Sequence, residues 1–204
     1  MSDPAKPTPP TPPGPSLLTE VRLGVRGVFL LLAFKPDWTR YFNPAQAGVI
    51  RSFAGVILAF PAFWFLISSA NFFMAENPTS GGAEDFVTPV EMAVIWARFW
   101  LIFPLVAFAV CQVMGVRERF FAWLVVHNWT VFVLLHVQVL IWALYMAGIA
   151  DAQIVGALLA FYQIARLFVH WRVAHGALGL SPGLAAAAAG IVLIVDLIAA
   201  AAMV

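Results

Sequence analysis

The sequence predicts an all-α fold, a polytopic membrane helix bundle, and three observations predict it. Hydrophobic residues fill 63% of the 204 positions and charged residues only 10%, well away from the half-apolar composition of a soluble domain. The apolar residues gather into five runs, each close to the roughly 20 residues that a helix needs to cross a hydrocarbon core of about 30 Å. Polar and charged residues concentrate before and between these runs, where loops would meet water.

Residues 1–16, MSDPAKPTPPTPPGPS, carry no apolar core of a secretory signal. They read as a disordered Pro-rich cytoplasmic tail, since proline keeps a chain extended and solvated. Residues 17–44 read as an interfacial amphipathic helix followed by an aromatic linker. Leu18, Val21, Val25, Phe29 and Leu32 recur at helical spacing, with Glu20, Arg22 and Arg26 off that stripe. Such a segment is too short and too charged to span, and either lies at headgroup level or caps the bundle. Trp38, Tyr41 and Phe42, with Lys35 and Arg40, are the mixture expected at a membrane surface.

Residues 45–204 form the five-helix transmembrane domain. The first span covers about Gly48 to Phe73, with Arg51 near its start and Pro61 within it. A polar loop with Asn77-Pro78, Gly81-Gly82, Glu84 and Asp85 leads to the second, Val90 to Met114, which holds Arg98 and Pro104. The third runs from Phe120 to Ile149, the fourth from Ala152 to His175, and the fifth from Leu184 to Val204 with Asp196 as its one charge. Asn128-Trp129-Thr130 matches a glycosylation sequon, but its place inside a span marks a chance match. Positive charge is kept cytoplasmic. The arginines before the first span and at Arg117, Arg119 and Arg172 therefore predict an inner-membrane protein, N-terminus inside and C-terminus outside.

Charges inside spans face protein or a wet cavity because lipid penalises them. Counted from the span centres at 1.5 Å per residue, Arg98, Asp196 and His136 fall at similar depth, so a buried polar cluster of these three is expected. An Arg98–Asp196 ion pair is its core. Glu91, Arg98, Leu105 and Gln112 recur every seven residues, which predicts one polar face turned toward the other helices. Gln163, Arg166 and His170 share a second polar face through their three- and four-residue spacing. The run Ala185 to Ala189 with Gly190 presents small residues, Ala186 and Gly190 four apart among them, for close helix contact. His127 and His170 lie at equal depth on consecutive helices, so haem b held by two axial imidazoles is an alternative reading.

Composition also excludes. A net charge of +1 leaves no basic surplus for nucleic acid. The single cysteine, Cys111, allows no internal disulfide and no multi-cysteine metal or redox motif, so no metal site is expected. No phosphate-cradling glycine loop, HExxH pair or nucleophile elbow is present, and an enzyme is not expected.

Tyr41-Phe42-Asn43-Pro44, entering five closely spaced spans after a cytoplasmic segment and an interfacial helix, resembles the Yip1-like family. The resemblance implies a small non-enzymatic protein of membrane organisation, trafficking or assembly, and brings no catalytic residues. The leading expectation is a scaffold or accessory subunit recognising membrane lipids, other membrane proteins or itself. A small transporter built on Arg98, Asp196 and His136, and a haem-bearing electron-transfer subunit built on His127 and His170, are the alternatives.

Overall fold

The computed structural model describes residues 16–77 and 86–202. The Pro-rich tail up to residue 15, the loop residues Pro78, Gly81-Gly82, Glu84 and Asp85, and the last residue of the fifth span, Val204, lie outside them. Among the described residues the chain is helical and has no strand. Helix α1 is Leu17–Leu32, a 3-10 turn follows at Pro36–Tyr41, and α2 (Gln46–Ser52) continues almost directly into α3 (Ala54–Glu76). The remaining helices are α4 (Pro89–Val113), α5 (Phe120–Met146), α6 (Ala152–Leu178) and α7 (Pro182–Ala201). Five segments are long and apolar enough to span, namely Gln46–Glu76, α4, Arg117–Met146, α6 and α7, which fits an integral multi-pass membrane protein.

Local chemistry sets the helix ends. The Thr88 hydroxyl accepts from the Glu91 amide while the Glu91 carboxylate accepts from the Thr88 amide, a reciprocal cap that starts α4. Asp151 caps α6 through the Ile154 amide, and Ser181 caps α7 ahead of Pro182. Gly179 ends α6 at φ 67°, a left-handed turn suited to glycine. The Trp171 indole then donates to the Pro182 carbonyl at 3.0 Å and closes the α6–α7 hairpin.

Helix α5 is the hub. Every residue from Trp123 to Val131 is buried, so this stretch is enclosed on all faces, with α1, α2, α3, α4 and α6 packed around it. Helix α7 packs against both α6 and α4. Helices α3 and α4 touch sparsely, bridged by Phe60 and Phe63 against Trp96 with ring centroids 5.5 and 4.7 Å apart. One half of the bundle is a continuous core of largely small or branched residues, including Ala107, Val173, Ala174, Ala185 and Ala188.

Helix α1 docks only partly through its apolar stripe, where Val21 and Leu32 pack on the core. Leu18 and Phe29 are exposed, at 61% and 58%, and the buried residues are Gly24, Gly27, Val28 and Leu31. Glycine removes the side chain that keeps two backbones apart. A methyl group at Gly24 would overlap the Trp129 ring, and one at Gly176 of α6 would come within 2.7 Å of Leu31. The docked face is therefore the one that approaches closest, about a quarter turn from the most hydrophobic one. The α7 stripe is corrected in the same way. Ala185, Ala188, Ala189 and Val192 are buried, whereas Ala186 is exposed and a Cβ on Gly190 would meet nothing within 4 Å.

Candidate ligand cavity

A cavity of about 290 Å³ lies among all five spanning helices. Helix α4 places Arg98 on it because Ile95, Phe99 and Ile102 fall on the same side of that helix. Helix α5 contributes His127, Val131, Leu134, Gln138 and Trp142, three to four residues apart and so along one face. Helix α6 supplies Tyr162, Gln163, Arg166 and His170, and α7 supplies Ala189, Val192, Leu193 and Asp196. Phe63 and Leu66 of α3 close the wall. Gln163 is exposed and marks a mouth.

One carboxylate and two guanidiniums meet on this cavity. Arg98 Nε lies 3.8 Å from Asp196 Oδ1, and Arg166 Nη2 lies 4.0 Å from Asp196 Oδ2. Both separations exceed ordinary N–H···O hydrogen-bond range, so Asp196 is straddled and not gripped by either partner. Arg98 Nη1 instead donates to the Asp196 backbone carbonyl at 3.3 Å, and Arg98 Nε has no hydrogen-bond partner among the described residues. Arg166 Nε donates to His170 Nε2 at 3.4 Å within the second polar face, and it is the Arg166–Asp196 approach that brings that face to Arg98 and Asp196. The Tyr162 hydroxyl donates to the Leu134 carbonyl at 3.3 Å and ties α6 to α5 across the wall.

The expected trio is thus rearranged. Arg98 and Asp196 are together, but His136 is not with them: it is exposed, and its Nδ1 stands 2.7 Å from the carbonyl of Phe132 one turn back on its own helix. Depth had matched, but nine residues at 100° each turn His136 about 180° away from His127. Arg166 takes the third place. Gln163, Arg166 and His170 do share a face, and all three line the cavity. The heptad face of α4 is realised only at Arg98, which turns inward, whereas Glu91, Leu105 (71%) and Gln112 are exposed.

His127 and His170 are close, with ring centroids 5.4 Å apart and planes 30° apart. Phe103 stacks face to face on His127 at 3.2 Å between centroids. Axial ligation requires each imidazole to aim a free nitrogen at one iron with a tetrapyrrole disc between the rings. Here the two rings stack roughly face to face instead of meeting nitrogen to nitrogen, and His170 Nε2 is engaged by Arg166. The pair does not fit bis-histidine haem in this arrangement. His127 Nδ1 is buried without a hydrogen-bond partner among the described residues. No group of three or more His, Cys, Asp or Glu side chains suited to a metal occurs among the described residues.

Sequence reasoning missed Arg172. It counts toward orientation as a loop-facing charge, yet it is only 8% exposed. Its Nε donates to the Leu31 carbonyl at 3.0 Å and its guanidinium lies 4.4 Å from the Phe34 ring centroid. A cation from α6 thus adds a charge-assisted bond to a carbonyl that already accepts from the Phe34 amide at the α1 C-terminus, where the helix dipole favours it. The one available signal was a helix end with no basic residue of its own in the last turn. Asn128 of the sequon is 2% exposed and its side-chain amide donates to the Ser52 hydroxyl at 2.9 Å, so it is buried and hydrogen-bonded inside the protein.

No family model, no curated protein and no solved structure matches this chain. Its functional reading therefore rests on the cavity.

Proposed function

We propose that this chain is a non-enzymatic multi-pass membrane protein that binds a small solute within the bilayer, the substrate site of a small carrier. The observation that supports it is the junction of Arg98, Arg166 and Asp196 on a cavity bordered by all five spanning helices. Charges at membrane depth are costly, and a pair kept only for packing gains most from direct hydrogen bonds. These contacts are loose instead, and Gln138, Gln163, His127 and His170 add polar atoms to the same space. The basic loops favour an inner-membrane orientation with the N-terminus cytoplasmic.

Filling the cavity tests this reading. Leu193→Trp is expected to abolish the thermal stabilisation that a metabolite panel gives the detergent-purified protein, and flux in proteoliposomes. Leu197→Trp, at a position 66% exposed, should retain both. Stabilisation and flux that survive Leu193→Trp would refute the assignment.

A scaffold or accessory role with Yip1-like topology is the second reading, and α1 favours it. Leu18 and Phe29 are exposed beside Arg22 and Arg26, an apolar and basic surface suited to anionic lipid or another membrane protein. A partner co-purifying in stoichiometric amount and lost on Phe29→Glu is the expected result; bare protein in both cases would count against it.

A further inference from the structure

Three charged groups meet on the cavity, two positive and one negative. Arginine stays protonated in proteins, so the cluster as built carries an uncompensated positive charge when Asp196 is ionised. In a low-dielectric setting that imbalance is costly, and an anion between the guanidiniums relieves it. The donors are available. Each guanidinium has five N–H groups, Arg98 spends one on the Asp196 carbonyl, and Arg166 spends one on His170. Neither makes a hydrogen bond shorter than 3.5 Å to the Asp196 carboxylate, whose nearest contacts are 3.8 and 4.0 Å. A second observation points the same way. Two polar atoms of cavity-lining side chains, Arg98 Nε and the Nδ1 of His127, which is 6% exposed, have no hydrogen-bond partner among the described residues.

The rest of the wall is apolar. Phe99, Ile102, Leu134, Trp142 and Leu193 face the same space, which suits a hydrocarbon body better than a hydrated inorganic ion. About 290 Å³ is at the small end for a ligand site. Resting on the cavity reading above, we propose that the ligand is a small amphipathic carboxylate, its head between Arg98 and Arg166 and its body against Phe99, Ile102 and Leu193. The planar fork of arginine matches a carboxylate edge, which a spherical charge does not. A cationic ligand is disfavoured because the one carboxylate already has two guanidiniums beside it.

Three isosteric probes, benzoate, benzamide and benzylamine, with butyrate and phenylacetate to vary the body, test the assignment on the detergent-purified full chain. Binding is read by quenching of the cavity tryptophans Trp123 and Trp142 and by melting temperature. The carboxylates are expected to bind saturably and the amide and amine not. Arg98→Gln and Arg166→Gln should each weaken benzoate by about tenfold or more, near 1.4 kcal/mol. Arg98→Lys should recover only part of the loss because the fork is gone. Asp196→Asn should retain or tighten benzoate binding by removing a competing carboxylate, and benzoate should restore part of that variant's lost melting temperature. Should an arginine variant fail to fold, Leu193→Trp supplies the same readout by steric exclusion.

Binding of benzylamine or benzamide in place of benzoate, abolished by Leu193→Trp, would overturn the carboxylate assignment while the cavity reading stands. Benzoate binding that ignores Arg98→Gln, Arg166→Gln and Leu193→Trp would place the carboxylate elsewhere and overturn the proposal. If no carboxylate, amide or amine binds and no metabolite stabilises the protein, both readings fall.

Discussion

Asp196→Asn is the most informative single perturbation, because one carboxylate faces two cations. At about 4 Å and an effective dielectric near 20, each Arg–Asp attraction has a gross value of about 4 kcal/mol, and the two contacts are 3.8 and 4.0 Å. Desolvation offsets much of this, and side-chain exposures of 15–26% weaken it further. Removing Arg98 leaves Asp196 neutralised by Arg166, so Arg98→Gln should cost about 1 kcal/mol, and Arg166→Gln a similar amount. Removing the carboxylate leaves two like charges facing one cavity and should cost about 3 kcal/mol. The double variant Arg98→Gln/Asp196→Asn removes one of the two stray charges and the repulsion between them, and should be more stable than Asp196→Asn alone. Equilibrium unfolding in mixed micelles, followed by tryptophan fluorescence, measures all four proteins. Equal losses for Arg98→Gln and Asp196→Asn, or a double variant less stable than Asp196→Asn, would refute the three-charge account.

Arg172→Gln should release the C-terminal end of α1 by removing both the bond to Leu31 and the Phe34 contact, a loss of about 2 kcal/mol. Amide exchange across Leu17–Leu32 should then accelerate by up to about thirtyfold, with α5 amides unchanged. Gly24→Val forces a branched side chain into Trp129 and should cost about 1–3 kcal/mol with the same exchange signature, whereas Gly183→Ala, where a Cβ would meet nothing within 4 Å, should not. His136→Leu should change stability by no more than about 0.5 kcal/mol and leave ligand binding intact, since the side chain is exposed and bonded only to its own helix. The purified protein supplied with haem should show no dithionite-sensitive Soret band; a stoichiometric band lost on His127→Ala would overturn the geometric argument against ligation.

The spans were legible because hydropathy along a helix is one-dimensional information. Predicted and observed ends agree to within a few residues, as with Val90–Met114 against Pro89–Val113 and Ala152–His175 against Ala152–Leu178. The Arg98–Asp196 meeting was legible for a related reason: two lone opposite charges in hydrocarbon have few other partners. His136 was misplaced because depth fixes only one coordinate of a residue on a helix. The other, azimuth, depends on which neighbours a helix packs against, and the enclosed Trp123–Val131 stretch of α5 had no amphipathic signal to reveal it. Arg166 was placed on the right face of α6, but its link to Asp196 required knowing that α7 packs beside α6. In α1 the apolar stripe did not reveal that a neighbouring stripe carries the docking contact. In a membrane both stripes have an apolar neighbour, so close approach through Gly24 and Gly27 decides the contact, and hydrophobicity does not.

The same principle accounts for where the cavity sits. Small side chains at Ala107, Ala174, Ala177, Ala185 and Ala188 let α4, α6 and α7 close tightly on one side of it. Beyond that core the facing positions become Phe99, Ile102, Arg98, Arg166 and Asp196, whose bulk and charge hold the helices apart. The Phe103–His127 stack lines the cavity beside residues of the packed core. The change from small to large or charged residues along α4, α6 and α7 thus accompanies a closed half and a hollow half. The charges fall in the hollow half, where neither guanidinium comes within ordinary hydrogen-bond distance of the Asp196 carboxylate.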